Sequence, residues 1–484
     1  MTLFKDISQQ TKLVAVFLLI VLIHIIFKSY QLTYSGFWYD ETFGLFYSQQ
    51  DWGLIKHTSE WDINAPLYYY FLWIWRNLFG ISEFAIRFSS VLFSSLAAGM
   101  IYIFSTKYFN KTTAFIALLI YTSSNEMFFY AHEARCYSII FFLTICSSYF
   151  YFNLLTKKSI SSVILLGVIN FLLVYANYLT GLVLAIQVLL TLCFFNKPFA
   201  KQIGIAFLIT FLLAFWRFSK KTILLLLNGK KVFWLAKPTF YDLKNVVYDF
   251  FNGKEIFFVY LFILTALLII FFTNKQRSYL KELITIKSLY ILLCSVGVIL
   301  FLFAASTITP LFTKRYAVYT IPFICVLIGL IVGKIINTKL KYITTGVICL
   351  ISVYSFSKID FRTLKPMNYR DAMVFTKKEK NPNTAILVES RDMRDLFNYY
   401  YDRTIFSDLK NMNAKMSENS IYVISNTEDL KGIDFTKYNK IILTQSFVLA
   451  GPENDNLLKT ISAHYKTQTS NTNYTGVTIF VFSN

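Results

Sequence analysis

The sequence predicts an all-α membrane domain with about eleven spanning helices, followed by a small α/β domain. Hydrophobic residues make up 56% of the 484 residues and charged residues only 15%, a composition that a soluble protein of this length does not show. The hydrophobic residues form long runs up to residue 357, whereas the tail alternates short apolar runs with polar stretches. We therefore predict a membrane domain at 1–357 and an α/β domain at 358–484.

Eleven hydrophobic runs are interpreted as membrane-spanning helices. The first, at 13–27, lacks a small-residue cleavage site, which indicates a retained helix and not a signal peptide. Several runs are shorter than the roughly 20 residues that a perpendicular helix needs, so their ends are approximate. The other ten runs are 88–104, 113–130, 136–155, 160–175, 179–195, 203–216, 256–273, 289–305, 316–332 and 343–356.

A further run at 67–79 is predicted to lie in the membrane interface. It is short, contains Arg76 and is rich in Tyr and Trp, features that favour an interfacial helix over a spanning one. If it lies flat, the Lys and Arg clusters between later spans fall on the same side as the N-terminus, which the positive-inside rule makes cytoplasmic. The loop at 28–87 and the whole tail then face the outer side.

The tail is predicted to be a small mixed α/β domain. Its β-type runs alternate with helix-like stretches at 391–401 and 455–465. It carries neither a Gly-rich phosphate loop nor a nucleophile elbow, so we expect it to recognise or shield something and not to perform chemistry. The β-type runs are 385–388, 421–425, 440–443 and 477–482.

The net charge of +20 does not predict a nucleic-acid partner. Much of the Lys and Arg excess falls between hydrophobic runs, where it orients helices in a membrane. The charge therefore agrees with the membrane interpretation.

The acidic pair Asp40 and Glu41 is the first candidate for chemistry. It follows the first span and is flanked by Trp38 and Tyr39. Adjacent carboxylates at a membrane surface suit chemistry on a charged, lipid-tethered substrate. The alternative is that Asp40 caps a short helix that begins at Glu41.

Three further polar clusters fall on the predicted outer face. Each also has a structural interpretation: Asp62 or Asn64 would cap the interfacial helix, Arg135 would snorkel with Glu133 as its partner, and Arg315 would anchor a span end. A guanidinium is, however, also suited to gripping phosphate oxygens with two hydrogen bonds. The clusters are residues 62–68, 132–137 and 313–316.

Taken in order, these motifs resemble those of the bacterial GT-C glycosyltransferases, in the group related to protein O-mannosyltransferases and lipid A aminoarabinose transferases. The resemblance covers roughly residues 10–375. A His or a second Pro is usual near Asn64 and Ala65, so the chain departs from the pattern there. The motifs are Asp40-Glu41 after an aromatic pair, Asn64-Ala65-Pro66-Leu67-Tyr68, Glu133-Ala134-Arg135-Cys136-Tyr137, Arg315-Tyr316 followed by Pro322, and Asn368-Tyr369-Arg370-Asp371.

The resemblance implies an inverting transfer of a sugar from a polyprenyl-phosphate donor to an acceptor on the outer face of the bacterial cytoplasmic membrane. It makes Asp40 the candidate base or acceptor-orienting carboxylate and Glu41 and Glu133 supporting acids. Asp40 and Glu133 would also hold a divalent cation, Mg or Mn, if one is used. The candidate donor-phosphate ligands are Arg135, Lys314 and Arg315, and the candidate substrate or acceptor ligands are Tyr39, Asp62, Asn64 and Tyr137.

Other classes of membrane protein remain as alternatives. A transporter or flippase would place ionisable groups near the middle of the membrane, whereas the charges here cluster at span ends. A structural or sensor protein would not need acidic and cationic groups in four separate loops. A glycan polymerase or ligase also has many spans and a large outer loop. The sequence leaves open the sugar and whether the acceptor is a lipid, a glycan or a protein.

Overall fold

The computed structural model describes residues 2–58, 65–194, 197–215, 236–273, 285–446, 452–465 and 467–483. Contacts divide the chain into two compact units. Unit 1 contains Met1–Tyr30, Lys56–Tyr68 and Arg87–Phe361, and unit 2 contains Gln31–Ile55, Tyr69–Ile86 and Arg362–Asn484. Most of the loop that the sequence assigned to the membrane domain is thus grouped with the tail, while the predicted division at residue 357 stays a prediction.

Helices cover most of the described chain before residue 358, and shorter helices lie in the tail. They are α1 (Thr2–Ser29), α2 (Tyr39–Ser48), α3 (Trp52–Thr58), α4 (Leu67–Phe79), α5 (Glu83–Tyr108), α6 (Lys111–Thr122), α7 (Asn125–Ala131), α8 (Tyr137–Thr156), α9 (Ile160–Ala176), α10 (Gly181–Phe194), α11 (Lys197–Phe215), α12 (Phe240–Phe250), α13 (Lys254–Thr273), α14 (Ile286–Ala305), α15 (Lys314–Gly333), α16 (Thr338–Ser357), α17 (Tyr369–Glu379), α18 (Arg394–Tyr401), α19 (Arg403–Ser407), α20 (Met412–Glu418) and α21 (Pro452–Ser462).

Seven of the described helices are long and apolar enough to cross a membrane: α1, α5, α8, α11, α14, α15 and α16. The pair α12 and α13 passes the same test together but is bent by 82°. The shorter apolar helices α6, α9 and α10 coincide with three more predicted spans. Every predicted span therefore overlaps at least one described helix, and the count of eleven crossings stays a prediction.

The predicted span at 113–130 is not one continuous helix. Helix α6 ends at Thr122, and α7 begins at Asn125 after the N-cap Ser124. The side chain of Asn252 bridges this break, because its Nδ2 donates to Ser123 O (2.7 Å) and its Oδ1 accepts from the Asn125 backbone N–H (2.8 Å). These bonds satisfy backbone groups that a helix end otherwise leaves unpaired.

The interfacial helix has the predicted bounds, Leu67–Phe79. At 1.5 Å per residue it extends about 20 Å, which is less than the roughly 30 Å of a bilayer core. Arg76, in its last turn, donates from Nε to Ser48 O at 2.9 Å, and Trp75 donates from Nε1 to Ala85 O at 2.7 Å. Both bonds lie within unit 2 and hold α4 against other parts of the first loop.

The tail contains the predicted sheet, with one additional strand. The strands are β1 (Thr384–Glu389), β2 (Ile421–Ile424), β3 (Lys440–Ser446), β4 (Thr467–Tyr474) and β5 (Val477–Ser483), in the order β2-β1-β3-β5-β4. Strand β1 is parallel to β2 and β3, while β5 is antiparallel to β3 and β4. The sequence did not predict β4, because this edge strand has no apolar run.

Candidate functional site

The acidic pair lies in the first turn of α2, in unit 2. The N-cap of this helix is Trp38, so Asp40 occupies the second helical position and does not cap it. Glu41 is fully buried, and its Oε2 accepts a long hydrogen bond from the Trp38 backbone N–H at 3.4 Å. Acidic residues in the first turn are favoured by the helix dipole. The alternative in which Asp40 caps a helix beginning at Glu41 is therefore wrong.

The C-terminal domain contributes two acids to the surroundings of Tyr39. Burial raises the pKa of Tyr39, and the charges of Asp392, Asp40 and Asp395 raise it further. Burial also raises the pKa of Asp395 to about 6, although Arg394 Nε donates to its Oδ1 at 3.0 Å. The sequence predicted only a polar helix at 391–401, and nothing in that pattern indicated that these acids approach the first loop.

In unit 1, the turn that carries Glu133 and Arg135 is buried and tightly held. Ser90 Oγ donates to Glu133 O at 2.6 Å, and His132 Nε2 donates to Lys28 O at 2.7 Å. Both contacts join the turn to other helices, α5 and α1. The exposed fractions of Glu133 and Arg135 are only 3% and 8%. Two polar side chains so deeply buried at a helix boundary need charged or hydrogen-bonding partners.

The charges of Glu133 and Arg315 meet at Tyr130, in helix α7. The charges of Glu126, Glu133 and Arg315 all act on the phenol of this residue. The ring of Tyr137 packs on that of Tyr130, with centroids 4.6 Å apart. Three of the predicted site residues, Glu133, Tyr137 and Arg315, are therefore brought together around one phenol that the sequence did not single out.

Lys314 has two acidic partners. Its Nζ lies 2.8 Å from Glu126 Oε1 and 3.0 Å from Asp249 Oδ2. Within the part of the chain that the structure describes, Glu126 Oε2 has no hydrogen-bond partner. Sequence reasoning missed both acids, because they lie far from Lys314 along the chain. The role of Lys314 as a phosphate ligand stays a prediction.

Three predicted features are not settled by this geometry. Asp62 and Asn64 lie outside the described residues. No group of three or more His, Cys, Asp or Glu side chains in the described parts of the chain is placed to hold a metal ion. The divalent cation stays a prediction.

Comparison with known proteins identifies the fold. Residues 63–219 match the model of a family described as dolichyl-phosphate-mannose-protein mannosyltransferase. The structure is similar to that of ArnT from Cupriavidus metallidurans bound to undecaprenyl phosphate, with a TM-score of 0.61, 11% identity and coverage of 97% of this chain and 98% of that one. The chain has a GT-C glycosyltransferase fold.

Two further structures with the GT-C fold support this assignment. The apo state of the same ArnT gives a TM-score of 0.61 at 11% identity, covering 98% of each chain. An oligosaccharyltransferase from Archaeoglobus fulgidus, solved with zinc and sulfate, gives 0.51 at 12% identity and covers 88% of this chain and 67% of that one. No curated protein matches by sequence. The resemblance predicted from the motifs is confirmed, and with it a multi-pass membrane protein with a C-terminal sheet domain.

Proposed function

We propose that the protein is an inverting glycosyltransferase that moves a hexosyl or pentosyl group from a polyprenyl phosphate to an acceptor on the outer face of the cytoplasmic membrane. The observation that carries this proposal is the fold, which matches ArnT over nearly the full length of both chains. A structure of that protein holds undecaprenyl phosphate, a lipid of the proposed donor class. The same match favours a transferase over a transporter or flippase.

Asp40 is proposed as the base of the reaction. An acceptor hydroxyl loses its proton to the Asp40 carboxylate as its oxygen attacks the anomeric carbon of the sugar. The bond from that carbon to the phosphate oxygen breaks, and its electron pair leaves with the phosphate. One displacement of this kind inverts the anomeric configuration. The partly exposed Asp40 is better suited to this role than Glu41, which is fully buried.

Arg135 and Arg315 are proposed to stabilise the leaving phosphate. The donor carries one negative charge as a phosphodiester, and the released polyprenyl phosphate carries up to two. A guanidinium therefore interacts more strongly with the transition state than with the bound donor, which is the condition for lowering the barrier. The charges of Arg315 and Glu133 both act on Tyr130, and this acid is proposed to orient the guanidinium. Tyr39 and Tyr137 are the proposed sugar or acceptor contacts.

The test is a transfer assay with the purified full-length protein. It is incubated with a panel of polyprenyl-phosphate sugars and candidate lipid, glycan and protein acceptors, and released polyprenyl phosphate is measured. We expect release with one donor class, and loss of release in Asp40→Asn. Release by neither protein across the panel, from preparations that fold and bind polyprenyl phosphate, would contradict the proposal. Equal release by both would contradict the role of Asp40.

A further inference from the structure

The segment that leads into the acidic pair is clamped by two side chains of the C-terminal domain, Arg370 and Tyr400. Arg370 Nη1 donates to Thr33 O at 3.0 Å, and its Nη2 donates to Tyr34 O. The Tyr400 hydroxyl accepts the backbone N–H of Phe37. Three backbone groups within five residues are thus fixed by residues more than 300 positions away in the chain, all within unit 2.

Glu83 joins the two clamping side chains to each other. Its Oε2 accepts from Arg370 Nη1 at 3.0 Å, and its Oε1 accepts from the Tyr400 hydroxyl at 2.6 Å. Burial and the charge of Glu83 raise the pKa of Tyr400, so this hydroxyl stays protonated and donates to the carboxylate at any ordinary pH. Glu83 itself is only 8% exposed. Charge-assisted bonds of this kind are short and directional.

The segment fits the clamp closely. A Cβ on Gly36 would lie 2.7 Å from the Tyr400 hydroxyl and 3.1 Å from Arg370 Cβ, so a larger residue would displace the chain. The ring of Phe37 is fully buried and packs on Tyr399 at 5.1 Å between centroids. At the other end of α2, Gln49 Nε2 donates to Phe406 O at 3.2 Å. The C-terminal domain therefore holds α2 at both ends.

We infer that Arg370 and Tyr400 are positioning residues, which fix the backbone that leads into α2 and thereby the direction of the Asp40 carboxylate. The inference rests on the proposed function, since it concerns the orientation of the proposed base. Only Trp38 and Tyr39 lie between Phe37 and Asp40 in the sequence, so a shift of the segment is passed to the carboxylate. A displacement of about 1 Å in a reacting group costs up to about 100-fold in rate.

The experiment compares Tyr400→Phe with the matched control Tyr401→Phe. Each variant keeps the ring and removes one hydroxyl. The Tyr401 hydroxyl accepts from Lys380 Nζ at 3.0 Å, its one hydrogen bond within the described residues, and takes no part in the clamp. Arg370→Lys is a second variant, because an ammonium keeps the charge but cannot reproduce the planar fork. We expect kcat to fall about 10- to 100-fold in both clamp variants, with the donor KM within about twofold of wild type.

Two readouts separate positioning from a general structural role. First, hydrogen exchange of residues 33–48 should be faster in the clamp variants and unchanged in Tyr401→Phe. Second, Tyr400→Phe should add little to the loss already caused by Asp40→Asn, because the group it orients is absent. Unchanged exchange, or fully additive kinetic losses, would overturn the inference. If the wild-type protein transfers no sugar, the proposed function fails, and the exchange data still decide whether the clamp orders the segment.

Discussion

Lys314 and Glu126 form an ion pair of 2.8 Å that joins the start of α15 to the short helix α7. The carboxylate is nearly buried, since the exposed fraction of its side chain is 10%, whereas that of Lys314 is 38%. Replacing one partner should therefore cost a different amount of stability from replacing the other. Loss of the lysine leaves the buried carboxylate without its partner. This costs more than loss of the carboxylate, because the ammonium left behind is partly solvated.

This asymmetry predicts an order of stability. Lys314→Gln should destabilise the protein by about 1–3 kcal/mol, and Glu126→Gln should cost less, because Lys314 retains Asp249 at 3.0 Å. The double variant should be more stable than Lys314→Gln alone, since it removes both charges. Thermal unfolding in detergent measures all three. A double variant less stable than either single one would show that the pair does not act through charge.

Arg315 is predicted to be irreplaceable by lysine. Because a lysine cannot reproduce the two-pronged contact of a guanidinium with phosphate oxygens, Arg315→Lys should lose turnover while folding normally, and Arg315→Ala should also weaken donor binding. Arg391→Lys, on the exposed surface of the C-terminal domain, is the control. Unchanged donor affinity and turnover in both Arg315 variants would reduce Arg315 to an interfacial anchor.

Asp40→Asn tests charge at almost constant size. Since Trp38 and not Asp40 is the N-cap of α2, no cap is lost and the thermal stability should be nearly unchanged. The loss of the proton-accepting group should lower turnover by about 100-fold or more. Asp51→Asn, an exposed aspartate in the same loop, is the matched control. Near-normal sugar transfer by Asp40→Asn would contradict the proposed role of Asp40 as the base.

Glu389 predicts a pH dependence of stability in the C-terminal domain. Burial raises its pKa in the folded domain from 4.5 to about 7, and its Oε2 has no hydrogen-bond partner among the described residues. Between these values the folded domain keeps a proton that the unfolded chain has lost, so stability falls as the pH rises through this window. Glu389→Gln should therefore stabilise the domain at pH 8 and have little effect at pH 4.

The measurement is thermal unfolding of the full-length protein at both pH values, with Glu428→Gln as the control. The Glu428 side chain is 72% exposed and pairs with Lys431, so its replacement should have a small effect that is similar at the two pH values. An equal gain in stability at pH 4 and pH 8 for Glu389→Gln would mean that the raised pKa does not govern this site.

The predicted topology is tested by labelling. Cysteines introduced at Ser35 and Ser417 should react with an impermeant reagent in intact cells, because the loop and the tail are predicted to face outward. A cysteine at Thr156, beside Lys157 and Lys158, should react only after the membrane is permeabilised. The parent protein with its six native cysteines sets the background. Protection of the cysteine at position 35 or 417 from the reagent in intact cells would contradict the proposed orientation.

The sequence by itself determined the elements whose signal is local. Hydrophobic runs predicted where the helices lie, and the bounds of α4 follow from one short run that is rich in aromatic residues. The apolar strands β1, β2, β3 and β5 were predicted for the same reason, whereas the polar strand β4 was not. Burial of apolar side chains is encoded by their periodicity along the chain, so a single sequence is sufficient for elements of this kind.

Only the tertiary structure decided which polar groups meet. Asn252 donates to Ser123 O at the end of α6 from a position 129 residues away. Asp392 and Asp395 approach Tyr39. Arg370 and Tyr400 fix the segment before Asp40. Hydrogen bonds and ion pairs depend on distances between atoms in space, and no local periodicity encodes them. The sequence therefore indicated the candidate residues, whereas their partners, and the role of the C-terminal domain in holding α2, followed from the fold.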